Sequence, residues 1–140
     1  MLLVMDSPTT MARPLASIVA GPGRGPVLIV DGDAAVRRIL RLVLEGAGYT
    51  CLTCDGVEEG LVLIGTYRPK LVLAEVHIAG GGGQALARRL ASGGGWRPRV
   101  ALMSAYPRPP GGFEDYFLPK PIEFDQLLLL LDSIEKEPGW

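Results

Sequence analysis

Cysteine is scarce in this chain of 140 residues: there are two, Cys51 and Cys54. Two cannot frame a disulfide-stapled secreted fold, and a reducing cytoplasm suits such a chain best. The pair reads C-x-x-C, a spacing found in some redox and metal sites. It flanks Leu52-Thr53 in a strand-like stretch, however, where residues three apart point to opposite faces. Small, partly buried side chains are therefore expected there. Net charge is nearly absent too, at −1 from 14 basic and 15 acidic residues. That gives no general attraction to nucleic acid or to an anionic membrane. No apolar run approaches the ~18 residues of a membrane span. Leu2-Leu3-Val4 is too short for a signal-peptide core and has no basic residue before it. No helix-turn-helix pattern follows the last helical segment, so no nucleic-acid partner is expected.

Glycine and proline are plentiful instead, at 19 and 12, within a chain that is 48% hydrophobic. The length suits one domain with a real core. Residues 1–26 show no periodic pattern and end in Gly21-Pro22-Gly23-Arg24-Gly25-Pro26, which reads as a flexible leader. The organised domain is expected over 27–136, with 137–140 as a short tail.

Within that domain, short apolar runs end abruptly in polar residues. Val27-Leu28-Ile29-Val30 runs into Asp31-Gly32-Asp33, Leu71-Val72-Leu73-Ala74 into Glu75, and Val100-Ala101-Leu102-Met103 into Ser104. Tyr116-Phe117-Leu118 leads to Lys120-Pro121. Wholly apolar runs of this length fill strands buried on both faces. The ligand crevice of an open parallel sheet lies outside the strands' carboxyl ends. Asp31, Asp33, Glu75, Ser104 and Lys120 therefore form one pocket if these strands are neighbours.

Between the runs lie helical patterns. Ala34 to Glu45 places Val36, Ile39, Leu40, Val43 and Leu44 on one stripe, with Arg37, Arg38 and Arg41 away from it. Asp33 suits its N-cap, as well as a share in cation binding. A second strand is expected over Thr50 to Thr53. Asp55 with Glu58 has the form of a capping box for the next helix. Gln84 to Ala91 is a third helix, entered through Gly80-Gly81-Gly82-Gly83. Gly80, Gly82 and Ala85 match G-x-G-x-x-A after a strand, the form of a dinucleotide fingerprint. That fingerprint needs an acid at the end of the following strand, which ends here in Ser104. A nucleotide- or small-ligand-binding regulator using Gly80 to Gly83 is one alternative reading. Ile122 to Glu135 is a closing helix whose core stripe is Phe124, Leu127, Leu128, Leu131 and Ile134. Leu129 and Leu130 fall off that stripe.

Val-Leu-Ile-Val-Asp, Val-Arg-Arg-Ile-Leu, Met-Ser-Ala and Phe-Leu-Pro-Lys-Pro, in this order, resemble the receiver domain of two-component response regulators. The resemblance runs from about Val27 to Ile134. It implies a doubly wound, flavodoxin-like α/β fold with a five-stranded parallel sheet in the order 2-1-3-4-5. It also implies that Glu75 stands where the family has its phosphoacceptor aspartate. Gly32 stands where the second of two adjacent acids ligates Mg²⁺. Ser104 and Lys120 match the phosphoryl-contacting hydroxyl and lysine, Phe117 the aromatic switch position, and Pro121 a proline preceded by a cis bond. The link from Ser104 to Lys120 is shorter than in the family. It contains Pro107, Pro109, Pro110, Gly111 and Gly112, which disfavour a helix interior, so the helix expected there is short or absent.

Mg²⁺ requires octahedral oxygen ligands at ~2.0–2.1 Å, and Gly32 removes one of them. Glu75 carries its oxygens about 1.5 Å farther than aspartate if extended, and a misplacement of about 1 Å can cost 10²-fold in rate. A direct Glu75–Lys120 ion pair is expected in place of a metal-bridged network, with at most weak Mg²⁺ binding at Asp31, Asp33 and Glu75. These substitutions point to a non-enzymatic, stand-alone receiver that signals by protein contact without phosphorylation. Its partner would be a histidine kinase, another regulator or an output protein. A phosphorylatable, Mg²⁺-dependent receiver is the other alternative. Leu129 and Leu130, beside the Pro107 to Gly112 link, are the candidates for a homodimer or partner interface.

Overall fold

The computed structural model describes residues 24–140; most of the expected leader lies outside the described residues. Strands and helices alternate: β1 (Arg24–Val30), α1 (Ala34–Gly46), β2 (Tyr49–Cys54), α2 (Val57–Tyr67), β3 (Leu71–Glu75), α3 (Gly82–Ser92), β4 (Arg99–Ser104), β5 (Tyr116–Pro119) and α4 (Phe124–Glu135). The five strands form one sheet in the order β2-β1-β3-β4-β5, and every adjacent pair is parallel. This is the expected doubly wound topology. No helix among the described residues is long and apolar enough to cross a membrane.

The sheet has a core on each face, which is why its central strands are apolar throughout. On one face Val27, Ile29, Leu71, Leu73, Ala101 and Met103 meet Leu40 and Leu44 of α1 and Leu127, Leu131 and Ile134 of α4. On the other, Leu28, Val30, Val72, Ala74, Val100 and Leu102 meet Val57 and Ile64 of α2 and Leu86 and Ala87 of α3. Burying one such side chain contributes about 1.5–3 kcal/mol, and Leu127, Leu131 and Ile134 are the fully buried residues by which α4 is attached. Cys51 packs on the first face and Cys54 on the second, as alternation requires. Burial pushes their thiols up to about 12 and about 11, so both stay protonated at neutral pH and poorly suited to redox or metal chemistry.

Several boundaries differ from the sequence reading. β1 starts at Arg24 rather than Val27 and passes through a cis Gly25–Pro26 bond. The pairing register with β2 shifts between Arg24 and Val27, the kind of irregularity that admits a proline into a strand. Arg24 anchors this end with its guanidinium 4.7 Å from the Tyr49 ring centroid and 3.0 Å from Glu135. Residues 137–140 are no loose tail. Glu137 accepts hydrogen bonds from Arg99 and from the Tyr116 hydroxyl, and Trp140 packs against the first core.

The capping box does not form. Gly56 is the N-cap of α2 and offers no side chain. The Val57 N–H is taken instead by the Ala79 carbonyl at 2.9 Å, because Gly56 and Ala79 pair as a bridge. Asp33, by contrast, does cap α1, accepting from the N–H groups of Ala35 and Val36. Ile39 of α1 and Phe124 of α4 were assigned to core stripes but are 48% and 42% exposed. Both lie toward the carboxyl end of the sheet, where with Val36 and Ile122 they border a shallow groove. Leu129 is 68% exposed, whereas Leu130 is partly buried against the first core.

Between β4 and β5 there is no helix. The proline-rich link is tied down by polar contacts. Arg108 pairs with Glu114 at 2.9 Å, and Asp115 accepts the Val100 N–H at 2.8 Å.

Candidate functional site

Sheet register decides which strand ends meet. Val30 pairs with Ala74, Glu75 with Met103, and Ser104 with Pro119. The next residue on β1 is Asp31 and on β5 Lys120, so Asp31, Glu75, Ser104 and Lys120 gather at the carboxyl edge of four adjacent strands. Lys120 enters through its N–H, donated to the Ser104 carbonyl at 2.8 Å, and leaves through a cis bond to Pro121.

The Lys120 ammonium lies between two carboxylates, 2.7 Å from Asp31 Oδ2 and 2.6 Å from Glu75 Oε1. Each acid's second oxygen is also used. Asp31 Oδ1 accepts the Asp33 N–H at 2.9 Å, and Glu75 Oε2 accepts the His77 N–H at 3.0 Å. Asp31 and Glu75 are 2% and 8% exposed. Burial pushes the Glu75 carboxyl up, but the Lys120 and His77 hydrogen bonds and charges outweigh it and hold it below the ordinary range. Burial pushes Lys120 down, and its bonds to Asp31 and Glu75 outweigh that and raise it. Both groups are thus charged at neutral pH. The expected Glu75–Lys120 pair is present, and Asp31 shares the lysine.

The remaining expected site residues lie around this triad without joining it. Asp33 is turned to the N-terminus of α1. Ser104 is buried, and its hydroxyl accepts the Tyr106 N–H at 3.0 Å. Phe117 packs half-buried against the second core, with the Arg108 guanidinium 6.0 Å from its ring centroid. Gly32 is exposed, and a β-carbon built on it would meet nothing within 4 Å. An open cleft of about 770 Å³ lies over Asp31 and Glu75, bordered by Gly32, His77, Ser104, Tyr106 and Pro107.

Sequence reasoning missed three residues here. His77 stands two positions past Glu75, its Nδ1 3.6 Å from Glu75 Oε2, and its ring meets Tyr106 edge-on at 5.4 Å. Arg37 reaches back to the Asp31 carbonyl at 2.7 Å. Position offered a signal for the first two, since both follow a strand-end polar residue by two.

The glycine loop has a backbone explanation. Gly80, Gly81 and Gly82 have φ of 97°, 105° and 88°, values that side chains rarely adopt. A β-carbon on Gly83 would lie 2.7 Å from the Glu75 carbonyl oxygen. The N–H groups of Gly82 and Gly83 already donate to Ile78 and Val76 carbonyls. Those two groups are engaged within the turn and are not free to cradle a phosphate.

Comparison with known proteins agrees with this geometry. Residues 27–132 match the response regulator receiver domain. The chain is 30% identical over 118 residues to the DNA-binding transcriptional regulator NtrC of Salmonella typhimurium, covering 78% of this chain and 24% of that protein. It is 39% identical over 115 residues to the response regulator MprA of a Mycobacterium species, covering 77% of this chain and 49% of that one. The chain therefore spans about a quarter to a half of these relatives. A two-component response regulator from Clostridium difficile superposes with a TM-score of 0.76 at 20% identity, over 84% of this chain and 100% of that one. A CheY-like receiver domain from Methylobacillus flagellatus gives 0.71 at 22%, over 78% and 97%. The chain belongs to the response regulator receiver domain family.

Proposed function

We propose that this receiver works without phosphorylation, its pocket held in one arrangement by the Asp31–Lys120–Glu75 triad. One observation carries the reading: the Lys120 ammonium is bonded to both acids at 2.7 and 2.6 Å. Here the longer Glu75 side chain reaches the lysine unaided. Gly32 offers no oxygen to a cation, Asp33 caps a helix, and Asp31 and Glu75 each give one oxygen to Lys120. That donor set suits Mg²⁺ poorly, because the ion needs several oxygens in octahedral array. Signalling then rests on contact with a protein partner, a kinase, another regulator or an output protein, modulated by that partner's presence and not by a covalent mark.

Incubation with acetyl phosphate and Mg²⁺, followed by intact-mass measurement, tests this directly. The unmodified chain is expected to gain no mass. Gly32→Asp with Glu75→Asp is expected to restore metal binding and then phosphorylation, since the space beside residue 32 is open. A phosphoryl adduct on Glu75 in the unmodified chain would establish the alternative, a phosphorylatable receiver.

A further inference from the structure

The opposite end of the sheet holds a second cleft, of about 450 Å³, bordered by Arg68, Lys70, Trp96, Arg97, Arg99 and Asp115. Four separate pieces of chain bring its cations together: the end of α2, the approach to β3, the loop before β4, and β4 itself. Arg97 pairs with Asp115 at 3.2 Å and Arg99 with Glu137 at 2.7 Å. Arg68 and Lys70 sit against aromatic rings instead. The Arg68 guanidinium is 4.1 Å from the Trp96 ring centroid, and the Lys70 ammonium is 5.8 Å from that of Trp140. Arg68 also occupies the left-handed C-cap of α2, at φ 49°, a position usually given to glycine.

A guanidinium held over an indole, here 4.1 Å from its ring centroid, can still direct N–H groups outward, and its planar fork suits two phosphate oxygens. Lys70 adds a mobile point charge beside it. Trp96 remains 46% exposed, a surface on which a planar ring can stack. Four cations facing two carboxylates leave a positive surplus. We infer that this cleft binds a phosphate anion of more than one charge that carries a planar ring, the chemistry of a nucleoside diphosphate. The Arg68 and Lys70 side chains take the phosphates and Trp96 takes the ring. The inference uses none of Asp31, Glu75 or Lys120 and stands apart from the reading of that pocket.

The chain's two tryptophans, Trp96 and Trp140, both lie at this end, so intrinsic fluorescence reads this site. The full chain is titrated with ADP and separately with inorganic pyrophosphate, with calorimetry in parallel. ADP is expected to quench tryptophan emission and to bind at least about tenfold more tightly than pyrophosphate. Arg68→Gly with Lys70→Ala is expected to weaken ADP by about tenfold or more; glycine suits the left-handed backbone, so the fold is retained. Arg38→Ala, which removes an exposed cation from α1, is expected to leave the affinity unchanged. No calorimetric binding at millimolar ADP would overturn the proposal, as would an affinity indifferent to the Arg68 and Lys70 changes. Equal affinity for pyrophosphate would overturn the part assigned to the ring.

Discussion

At the carboxyl end of the sheet a single ammonium lies between two carboxylates that are almost wholly buried. At the amino end four cations gather around two acids, and every one of them is partly exposed. Burial explains the contrast. A charge removed from water must be matched by a partner when the chain folds, or it costs several kcal/mol. An exposed charge is screened by water and salt, and a surplus there is tolerated. The carboxyl end is consequently saturated, with each carboxylate oxygen of Asp31 and Glu75 in use. The amino end keeps bonding capacity in hand.

Changes at the two ends should therefore differ most in stability. Lys120→Met leaves two buried carboxylates facing each other, and denaturant unfolding is expected to show a loss of about 3–5 kcal/mol. Adding Glu75→Gln should recover part of it, because one carboxylate can then share a proton-bearing neighbour. If Lys120→Met alone costs less than about 1 kcal/mol, the triad is looser than its distances imply.

The pH dependence of stability sharpens the same contrast. Glu75 is held low in the folded chain, so its contribution is present above its unfolded value of about 4.3 and fades as pH falls through the folded one. Lys120 is held high, so its contribution is present below about 10.4 and fades as pH rises through its folded value. Thermal unfolding across pH should show a plateau between these limits with losses on both sides. Glu75→Gln should shrink the acid-side loss. An unchanged acid limb in that variant would mean that other carboxylates set it.

A smaller effect separates neighbours on α4. Leu130→Ala removes a side chain packed on the core and is expected to cost about 1–2 kcal/mol, whereas Leu129→Ala should stay within about 0.5 kcal/mol. Light scattering on Leu129→Lys then asks whether the exposed leucine holds two copies together. A self-associating chain that this change leaves unaltered would take Leu129 out of any homodimer surface. The smallest change in stability is expected from Arg68→Gly, within about 0.5 kcal/mol, since lost stacking on Trp96 is offset by a relaxed backbone.

Much of the carboxyl end was legible beforehand because each of its residues closes an apolar run. In a parallel sheet such residues share one edge. The length of the Glu75 side chain was enough to foresee its pairing with Lys120. The share taken by Asp31 was not foreseen, since it depends on a register that apolar patterns leave open. The cap of α2 was misread because Asp55 and Glu58 have the right spacing, yet a carbonyl from another loop reached Val57 first. Phe124 and Ile39 carried the right periodicity, but periodicity does not say how much of an apolar stripe the neighbouring elements cover. The amino-end cleft was invisible in sequence. Arg68 and Lys70 lie some thirty positions before Arg97 and Arg99, and only the pairing of Leu71 with Arg99 brings them together.

The vacant space beside Gly32 has an evolutionary reading. Nothing lies within 4 Å of where its β-carbon would stand, so the scaffold has not closed over the missing carboxylate. In the genetic code glycine and aspartate codons can differ by a single base, as can those of glutamate and aspartate. A glutamate codon always lies one base from aspartate and a glycine codon one or two bases, with room left for the acid at residue 32. An aspartate at residue 32 could therefore be accommodated without rebuilding the fold.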